Sequence, residues 1–225
     1  MCISMKAPPE HLQPPKRCAG CQVCLERMKD WTGNHSSQFA ALGSSNHTEL
    51  ERESNDFYAT DPRALTTLAE HMKLPHLIYE CACGTGHLVK ELTRLGHEVI
   101  ATDLIDRGFG KGGVNFLEVE SMPEDCDCIL TNPPYKFTTE FIEHALKILP
   151  KGGKAIFLLN VNILAGKSRF QRIYSRGVLK ELYLFSSRIV CAKNGDFETY
   201  KSSAVNYAWC VFEKGFCGST LLHWI

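Results

Sequence analysis

The stretch LIYECACGTGHLVKELTRLGHEVIATD, residues 77–103, decides the fold class. It begins with a short apolar strand pattern and continues through a glycine-containing loop into an amphipathic helix that Gly96 ends. A second apolar run follows and closes with an aspartate. Strand, loop, helix and strand within about 30 residues are typical of a βαβ unit, whose two strands lie parallel in one sheet. The stretch therefore predicts an α/β protein.

The flanking sequence continues the same alternation of strands and helices. A helix is predicted over residues 62–73, with Thr60 or Asp61 as its cap and Pro62 in its first turn. Near-continuous apolar strands that alternate with helices predict a doubly wound, mostly parallel, Rossmann-like sheet with helices on both faces. This domain is expected over residues 55–225. The other predicted strands are 115–118, 126–132, 154–160, 179–185 and 206–214, and the other predicted helices are 137–149 and 168–176.

The composition excludes several classes of protein. Of the 225 residues, 44% are hydrophobic, which is enough for a core and excludes wholesale disorder. No apolar run approaches the roughly 20 residues that a membrane span needs, and the first residues lack the apolar region of a signal peptide. We therefore expect a cytoplasmic protein with no membrane partner. The eleven cysteines are odd in number, which favours reduced thiols over a disulfide framework.

The charges are distributed unevenly along a chain whose formal net charge is zero. Residues 1–150 contain 14 Lys and Arg against 21 Asp and Glu, whereas residues 151–225 contain 11 against 4. The basic third predicts a local surface for a polyanion such as DNA, with a solvated basic face as the alternative. Positions 169, 172 and 176 share one helical face, with Phe170 and Ile173 expected to pack inward. The candidate phosphate-binding residues are Lys167, Arg169, Arg172, Arg176 and Arg188.

Residues 1–54 have a different texture and are interpreted as an irregular extension. Cys18, Cys21 and Cys24 form a C-x2-C-x2-C pattern, and thiolates at such spacing are typical of structural zinc sites. A second cysteine pair of the kind that completes a zinc finger is absent from the sequence. Two interpretations therefore stay open, a structural zinc ion and plain reduced thiols.

Polar residues follow the predicted strands at the points where those strands end. They are Glu80, Asp103, Asn115 and Asn132. In open α/β sheets ligands bind beyond the carboxyl ends of the strands. The sequence therefore predicts a ligand site at this edge of the sheet.

The residues of this edge favour one cofactor over another. Gly84 and Gly86 allow the backbone to approach a ligand closely, and Asp103 lies at the distance typical of a ribose contact. A nicotinamide dinucleotide would require a third glycine where Val89 stands. Glu80 suits a cationic amine better than a pyrophosphate. S-adenosylmethionine has an amino group, a sulfonium and a ribose diol but no phosphate, and it fits these residues.

The N-terminus of the helix at residues 62–73 is a second candidate contact. If Thr60 caps this helix, its first N–H groups are available to a carboxylate such as that of the methionine tail. An ordinary helix cap is the alternative.

The sequence Asn132-Pro133-Pro134-Tyr135 carries the most specific chemistry. A strand that runs into two prolines must stop, and it leaves a rigid corner with an amide, free carbonyls and an aromatic ring. An exocyclic amine is a poor nucleophile because its lone pair is delocalised into the ring. If Asn132 and the Pro133 carbonyl accept its two hydrogens, the lone pair turns toward a methyl donor while Tyr135 stacks on the ring. Transfer to a pyrimidine carbon would instead need a cysteine after a proline, and no Pro-Cys dipeptide occurs.

The motifs DFYATDP, ECACGTG, ATD, NFLE and NPPY occur in this order between residues 56 and 135. Their order resembles the gamma-like arrangement of the S-adenosylmethionine-dependent N6-adenine DNA methyltransferases, especially the compact phage and prophage forms. The resemblance covers about residues 40–214. Cys81 and Asn115 depart from the proline and the aspartate that are usual in this family.

The resemblance implies a class I Rossmann-like methyltransferase that flips adenine into an NPPY pocket, with a role such as restriction-modification. It also implies that a partner protein, short loops or the N-terminal segment choose the DNA site. A segment at Arg188 would lie near the flipped base, where Phe185 or Phe197 would help to stack it. The implied catalytic residues are Asn132, Pro133, Pro134 and Tyr135. The implied cofactor-binding residues are Thr60, Glu80, Cys81, Ala82, Cys83, Gly84, Gly86, Asp103, Asn115 and Phe116.

Two alternatives remain open from the residues. The same NPPY motif suits methyl transfer to RNA bases or to a glutamine amide in a protein. A non-catalytic nucleic-acid-binding subunit with a vestigial cofactor pocket is the alternative from another class.

Overall fold

The structure is a computed structural model that describes residues 58–193, 197–198 and 205–225. The predicted extension over residues 1–54, with Cys18, Cys21 and Cys24, lies outside the described residues. None of the described helices is both long and apolar enough to span a membrane.

The described residues form strands and helices in alternation up to residue 184 and strands thereafter. The strands are β1 (Tyr58–Thr60), β2 (Leu77–Glu80), β3 (Glu98–Ala101), β4 (Cys128–Thr131), β5 (Lys154–Asn160), β6 (Leu179–Leu184), β7 (Cys191–Lys193), β8 (Tyr207–Glu213) and β9 (Leu221–Trp224). The α-helices are α1 (Pro62–His71), α2 (His87–Arg94), α3 (Thr138–Ile148) and α4 (Lys167–Arg172).

Seven strands form one sheet in the order β3-β2-β4-β5-β8-β6-β9. Strand β8 runs antiparallel to both of its neighbours, β5 and β6, and the other neighbouring pairs are parallel. Strands β1 and β7 form a separate antiparallel ribbon that pairs Thr60 with Cys191. The α/β class and the mostly parallel sheet that the sequence predicts are confirmed.

Two apolar clusters cover the two faces of the sheet, as the period of two along its central strands requires. On β5, Phe157 and Leu159 pack on the face that α3 covers, and Ile156 and Leu158 pack on the face that α1 and α2 cover. Trp209 on β8 is fully buried, and its indole N–H donates to the Ala64 carbonyl at 2.9 Å. This bond fixes α1 against the sheet. Helices on both faces are confirmed.

One local prediction from the sequence is wrong, and another is narrowed to one of its alternatives. Residues 115–118 do not form a strand, because the Asn115 side chain accepts the Leu117 N–H and turns Phe116–Glu118 into a 3-10 helix. Of the two predicted caps of α1, Thr60 and Asp61, it is Asp61 that caps the helix, since its carboxylate accepts the Arg63 N–H at 2.9 Å. Strand β9 was not predicted from the sequence.

Candidate functional site

A cavity of about 440 Å³ opens at the carboxyl ends of β2, β3 and β4. Its wall combines residues that directly follow these strands with residues of β1 and the 3-10 helix after β4. The cavity therefore lies at the edge of the sheet where the sequence predicts a ligand site. The predicted site residues that line it are Thr60, Glu80, Cys81, Ala82, Cys83, Asp103, Asn115, Phe116, Asn132 and Pro134.

The glycine loop and Asp103 hold each other in place. The Gly84 N–H donates to one Asp103 oxygen at 2.8 Å, and the Ile105 N–H donates to the other at 2.9 Å. Each oxygen keeps a second lone pair, so the carboxylate can still accept from a diol. Gly86 is the N-cap of α2 with φ +81°, and a side chain there would overlap the Phe109 ring. These glycines support the wall of the cavity without being among its lining residues.

Glu80 is fully buried at the end of β2, and only one of its two carboxyl oxygens accepts a hydrogen bond from the described residues. One of its carboxyl oxygens accepts the Ala82 N–H at 3.0 Å, and the other is buried without a hydrogen-bond partner in the described part of the chain. Burial raises the pKa of Glu80 to about 8; the nearby Thr131 hydroxyl and the Ala82 N–H oppose the shift, and the neighbouring Asp103 adds to it. A cation placed beside this oxygen would stabilise the ionised form.

Asn132 follows β4 with its amide in a fixed orientation. Its NH2 group donates to Thr60 Oγ1 at 3.0 Å and to the Tyr58 carbonyl at 3.4 Å. Because a backbone carbonyl can only accept, these bonds determine which end of the amide is nitrogen. The amide oxygen is buried and has no hydrogen-bond partner among the residues that the structure describes. The amide is therefore oriented, and its oxygen is available as an acceptor.

The remaining residues of the NPPY motif form a tight turn. The Pro134 carbonyl accepts the Phe137 N–H at 2.9 Å, Pro133 is buried, and Pro134 lines the cavity. The Tyr135 hydroxyl is 2.9 Å from that of Tyr207, and Tyr135 is not among the lining residues. Burial raises the pKa of Tyr135 well above its ordinary value, so its hydroxyl is neutral.

The predicted adenine-side residues, Asn115 and Phe116, also line the cavity. The Phe116 ring is buried and lies edge-on to Tyr79, with centroids 6.2 Å apart. The Asn115 NH2 group donates to Glu118 at 2.8 Å, so its amide is partly engaged within its own turn. Burial raises the pKa of the Cys83 thiol to about 12, which keeps it protonated beside the loop.

The predicted phosphate-binding residues are dispersed along the surface after β5. Lys167, Arg176 and Arg188 are exposed, and the Arg169 guanidinium donates to the Ala165 carbonyl. Arg172 forms ion pairs with Glu143 at 2.5 Å and with Glu140 at 3.4 Å.

The packing of this surface differs in part from the prediction. The acids that neutralise Arg172 come from α3, and the acid-free stretch of sequence around this arginine could not reveal them. Ile173 is buried as predicted, whereas Phe170 is 59% exposed, which contradicts its predicted inward packing.

Several lining residues were not predicted. Tyr58 comes from β1, Arg107 from the loop after β3, and Lys136 and Phe137 directly follow the NPPY motif. The two residues after the motif could have been noticed as a cation and an aromatic ring beside it. Tyr58 depends on the pairing of β1 with β7, for which the sequence carries no local signal. Phe197, predicted near the base, lies with its ring 5.6 Å from that of His87, which lines the cavity.

The comparisons with known proteins identify the fold class. No family model matches the sequence, and no curated relative matches it. One similar structure is a Listeria monocytogenes protein provisionally described as a class I S-adenosylmethionine-dependent methyltransferase. It is 15% identical with a TM-score of 0.51, and the match covers 84% of this chain and 71% of that one.

A second similar structure is the type IIG restriction endonuclease BpuSI, at 14% identity and a TM-score of 0.50. The match covers 74% of this chain but only 26% of that much longer protein. At these identities the likeness concerns the fold. The described residues have the α/β, Rossmann-like fold of class I S-adenosylmethionine-dependent methyltransferases, as the sequence predicts.

Proposed function

We propose that this protein transfers the methyl group of S-adenosylmethionine to the exocyclic N6 amine of adenine in DNA. The base would be flipped out of the duplex into the cavity beside Asn132. The observation that carries the proposal is the Asn132 amide, whose NH2 group is anchored and whose oxygen is buried with no partner among the described residues. A buried acceptor without a partner costs free energy in the unliganded protein, and an amine donor supplied by a substrate removes this cost.

The cavity also fits the proposed cofactor. The unpartnered Glu80 oxygen suits the ammonium group of S-adenosylmethionine, and the Asp103 carboxylate suits its ribose diol. The Gly84–Gly86 turn leaves room for close approach. Thr60 is assigned a different role from the one expected, because its hydroxyl orients Asn132 and Asp61 caps α1. When bound, S-adenosylmethionine supplies an electrophilic methyl group on a positively charged sulfur.

The residues of the chain act on the acceptor amine. The Asn132 oxygen accepts one amine hydrogen and the Pro133 carbonyl accepts the other, which reduces delocalisation of the nitrogen lone pair into the ring. S-adenosylmethionine, held by Glu80 and Asp103, would supply the methyl group to the acceptor nitrogen and would keep the electron pair of its carbon–sulfur bond, and the methylated amine would release one proton to solvent. Orientation of both reactants and fixed acceptors supply the rate enhancement, because these groups need not reorganise during the reaction.

The basic C-terminal third of the sequence supports a polyanionic substrate. Lys136 and Arg107 add cations to the cavity itself, and Lys167, Arg176 and Arg188 are exposed beyond it. Phosphate contacts of this kind position a nucleic acid without selecting its sequence. A partner protein that selects the DNA site is therefore part of the proposal.

The test is transfer of labelled methyl from S-adenosylmethionine to unmethylated duplex DNA, RNA and protein fractions, followed by nucleoside and amino-acid analysis. N6-methyladenine in DNA is the expected product. Label in RNA or in glutamine would overturn the acceptor, and absence of cofactor binding would favour a non-catalytic subunit.

A variant of Asn132 tests the residue that carries the proposal. We expect Asn132→Ala to reduce transfer by about 10²- to 10³-fold, as removal of one oriented hydrogen-bonding group from an active site does, with cofactor affinity unchanged. Asn162→Ala is the matched control, because Asn162 is an exposed amide that follows β5 and does not line the cavity. Equal losses of transfer and cofactor affinity in Asn132→Ala would count against the assigned role.

A further inference from the structure

The two edges of the seven-stranded sheet differ in how they are protected. At the β3 edge the chain returns alongside the strand, where the Lys111 N–H donates to the Ala101 carbonyl at 2.9 Å. Glu98 adds an exposed charge to the same edge. A covering segment and a charged side chain both keep an edge strand from pairing with another chain. Strand β9 forms the other edge, and in the described part of the chain it is paired with β6 alone.

The sequence of β9 also lacks the usual protection of an edge strand. Residues 215–225, GFCGSTLLHWI, contain no Lys, Arg, Asp, Glu or Pro. Six large hydrophobic side chains are exposed among the described residues, and three of them lie on this strand: Leu221 is 60% exposed, Leu222 50% and Trp224 67%. Exposed apolar side chains that are concentrated in this way mark an interaction site. Because this edge carries no Lys or Arg, it offers DNA no phosphate contact.

The backbone groups of β9 that face outward belong to two of these same residues. The Ile225 N–H donates to the Leu184 carbonyl, and the Ile225 carbonyl accepts the Ser186 N–H, so the backbone groups of Ile225 face β6. Successive residues of a strand direct their N–H and C=O groups to opposite sides. The N–H and C=O groups of Leu222 and Trp224 therefore face away from the sheet.

A second cavity, of about 350 Å³, lies beside β9 on the sheet face that α3 covers. Leu222 of β9 and Leu182 of β6 are among its lining residues. The hydroxyls in its wall are already used, since Tyr174 donates to a backbone carbonyl at 3.0 Å and Thr220 donates to another at 2.8 Å. The cavity therefore suits an apolar side chain better than a polar ligand.

We infer that β9 pairs antiparallel with β9 of a second copy of this chain, around a twofold axis at His223. In this register Leu222 of each copy lies opposite Trp224 of the other. Four backbone hydrogen bonds form between these residues, because their N–H and C=O groups are the ones that face outward. Leu221 of each copy lies opposite Ile225 of the other, so the exposed apolar side chains of the edge are covered.

The side chains of this register are complementary to themselves. Trp224 of one copy lies beside Leu222 of the other, which is the residue that β9 contributes to the second cavity, so each indole can enter the cavity of the opposite copy. Aromatic and aliphatic side chains that face each other across two strands stabilise the pairing. No like charges meet, since residues 215–225 carry none. A second copy thus supplies both the indole and the cavity that receives it.

The pairing leaves the candidate methyl-transfer site accessible. In the sheet order β9 lies four strands from β4, about 19 Å away at a strand spacing of roughly 4.8 Å. The inference therefore goes beyond the proposed function and does not depend on it.

Sedimentation velocity on the full chain, at concentrations up to about 100 μM, tests the pairing, since small interfaces associate weakly. We expect the wild type to dimerise and Trp224→Lys to weaken the dimer by about a hundredfold, because an anchoring indole is lost from both copies. Leu222→Pro should also abolish the dimer, since proline removes an outward N–H but none of the bonds to β6. Phe170→Lys is the matched control: it changes a ring that is 59% exposed on α4, away from β9, and should dimerise like the wild type.

A disulfide across the twofold axis tests the register. Residues that oppose each other without hydrogen bonds in an antiparallel pair have Cα atoms about 4.5 Å apart, which a disulfide can bridge. His223→Cys should therefore form a disulfide-linked dimer on mild oxidation. Ser219→Cys, exposed and outside the paired residues, should form no more than the wild type, which shows the contribution of native thiols such as the exposed Cys217.

Amide hydrogen exchange identifies what covers the edge. The protection of Leu222 and Trp224 should increase with protein concentration. A monomer in which these amides are protected at every concentration would assign the edge to residues 1–57 of the same chain and would overturn the inference.

Two other results would also overturn it. One is a wild type that stays monomeric at every concentration. The other is a dimer that persists in both Trp224→Lys and Leu222→Pro, because another surface would then hold it. Far-UV circular dichroism verifies the fold of each variant, and if Leu222→Pro unfolds, Trp224→Lys and the disulfide decide. None of these measurements uses S-adenosylmethionine or a methyl acceptor, so a failure here leaves the proposed function unaffected.

Discussion

Replacing Glu80 by glutamine removes one ionisable group from the cavity while keeping the size of the side chain. With a pKa of about 8 in the unliganded protein, the carboxyl is about nine-tenths protonated at pH 7. A cationic ligand that needs the carboxylate should therefore bind about tenfold below its full affinity at pH 7. By the same relation, the affinity is about a hundredfold below its full value at pH 6 and about twofold below it at pH 8.

The assay is calorimetric titration with S-adenosylmethionine at pH 6, 7 and 8 on the wild type and on Glu80→Gln. Ionisation of the ligand's own amino group affects both proteins equally, so the ratio of their affinities isolates Glu80. We expect wild-type affinity to rise relative to the variant as the pH increases toward 8. A ratio that does not change across this range would refute the pairing of Glu80 with a cation.

Glu80 also makes the free energy of unfolding depend on pH, and this dependence is opposite to the usual one for an acid. Its folded pKa lies above the ordinary value of 4.5, so its contribution to stability is complete below pH 4.5 and is lost as the pH rises through about 8. The loss is up to about 5 kcal/mol in the unliganded protein. Glu80→Gln avoids it, so the thermal midpoint of the variant should exceed that of the wild type most clearly above pH 8.

Two further changes test the support of the site. Thr60→Val removes the hydroxyl that accepts from Asn132. We expect kcat to fall about tenfold with cofactor affinity unchanged, since a lost buried hydrogen bond costs about 1–3 kcal/mol. Thr60→Ser should restore the rate, and an unaltered kcat in Thr60→Val would contradict the role of the hydroxyl. Gly86→Ala forces a side chain to φ +81° against Phe109, whereas Gly96→Ala imposes similar strain at φ +92° with no atom nearby. Both variants should have a lower thermal midpoint, because the left-handed backbone costs an alanine about 1–2 kcal/mol. Only Gly86→Ala should also weaken cofactor binding. Differential scanning fluorimetry with and without cofactor measures both effects.

The parts of the fold that local sequence controls were predictable. Strand β2 and strand β5 begin and end where the apolar runs at 77–80 and 154–160 do, because a buried parallel strand needs apolar residues on both faces. The structure of the NFLE segment, residues 115–118, was not predictable, because the Asn115 side chain competes for a backbone N–H and favours a turn over a strand.

The candidate site was predictable where it follows directly from strand ends. Asp103 and Asn132 could be placed at one edge from topology alone. The partners of Asn132 could not be predicted, because Thr60 and Tyr58 lie 72 and 74 residues away along the chain, on a strand that pairs with β7. The pairing of Arg172 with Glu143 of α3 is likewise a tertiary contact that spacing along the chain does not encode.

The cavity has a cofactor half, formed by the glycine loop, Asp103 and Phe116, and an acceptor half around Asn132. Because of the β1–β7 ribbon, these two halves depend on different parts of the chain. The glycine loop, Asp103 and Phe116 come from one continuous segment that includes the paired strands β2 and β3. The orientation of Asn132 requires residues from both sides of it, including β7. The orientation of Asn132 therefore depends on the pairing of residues 191–193 with β1. In the finished protein, local opening of the ribbon would release the amide while the cofactor half stays folded.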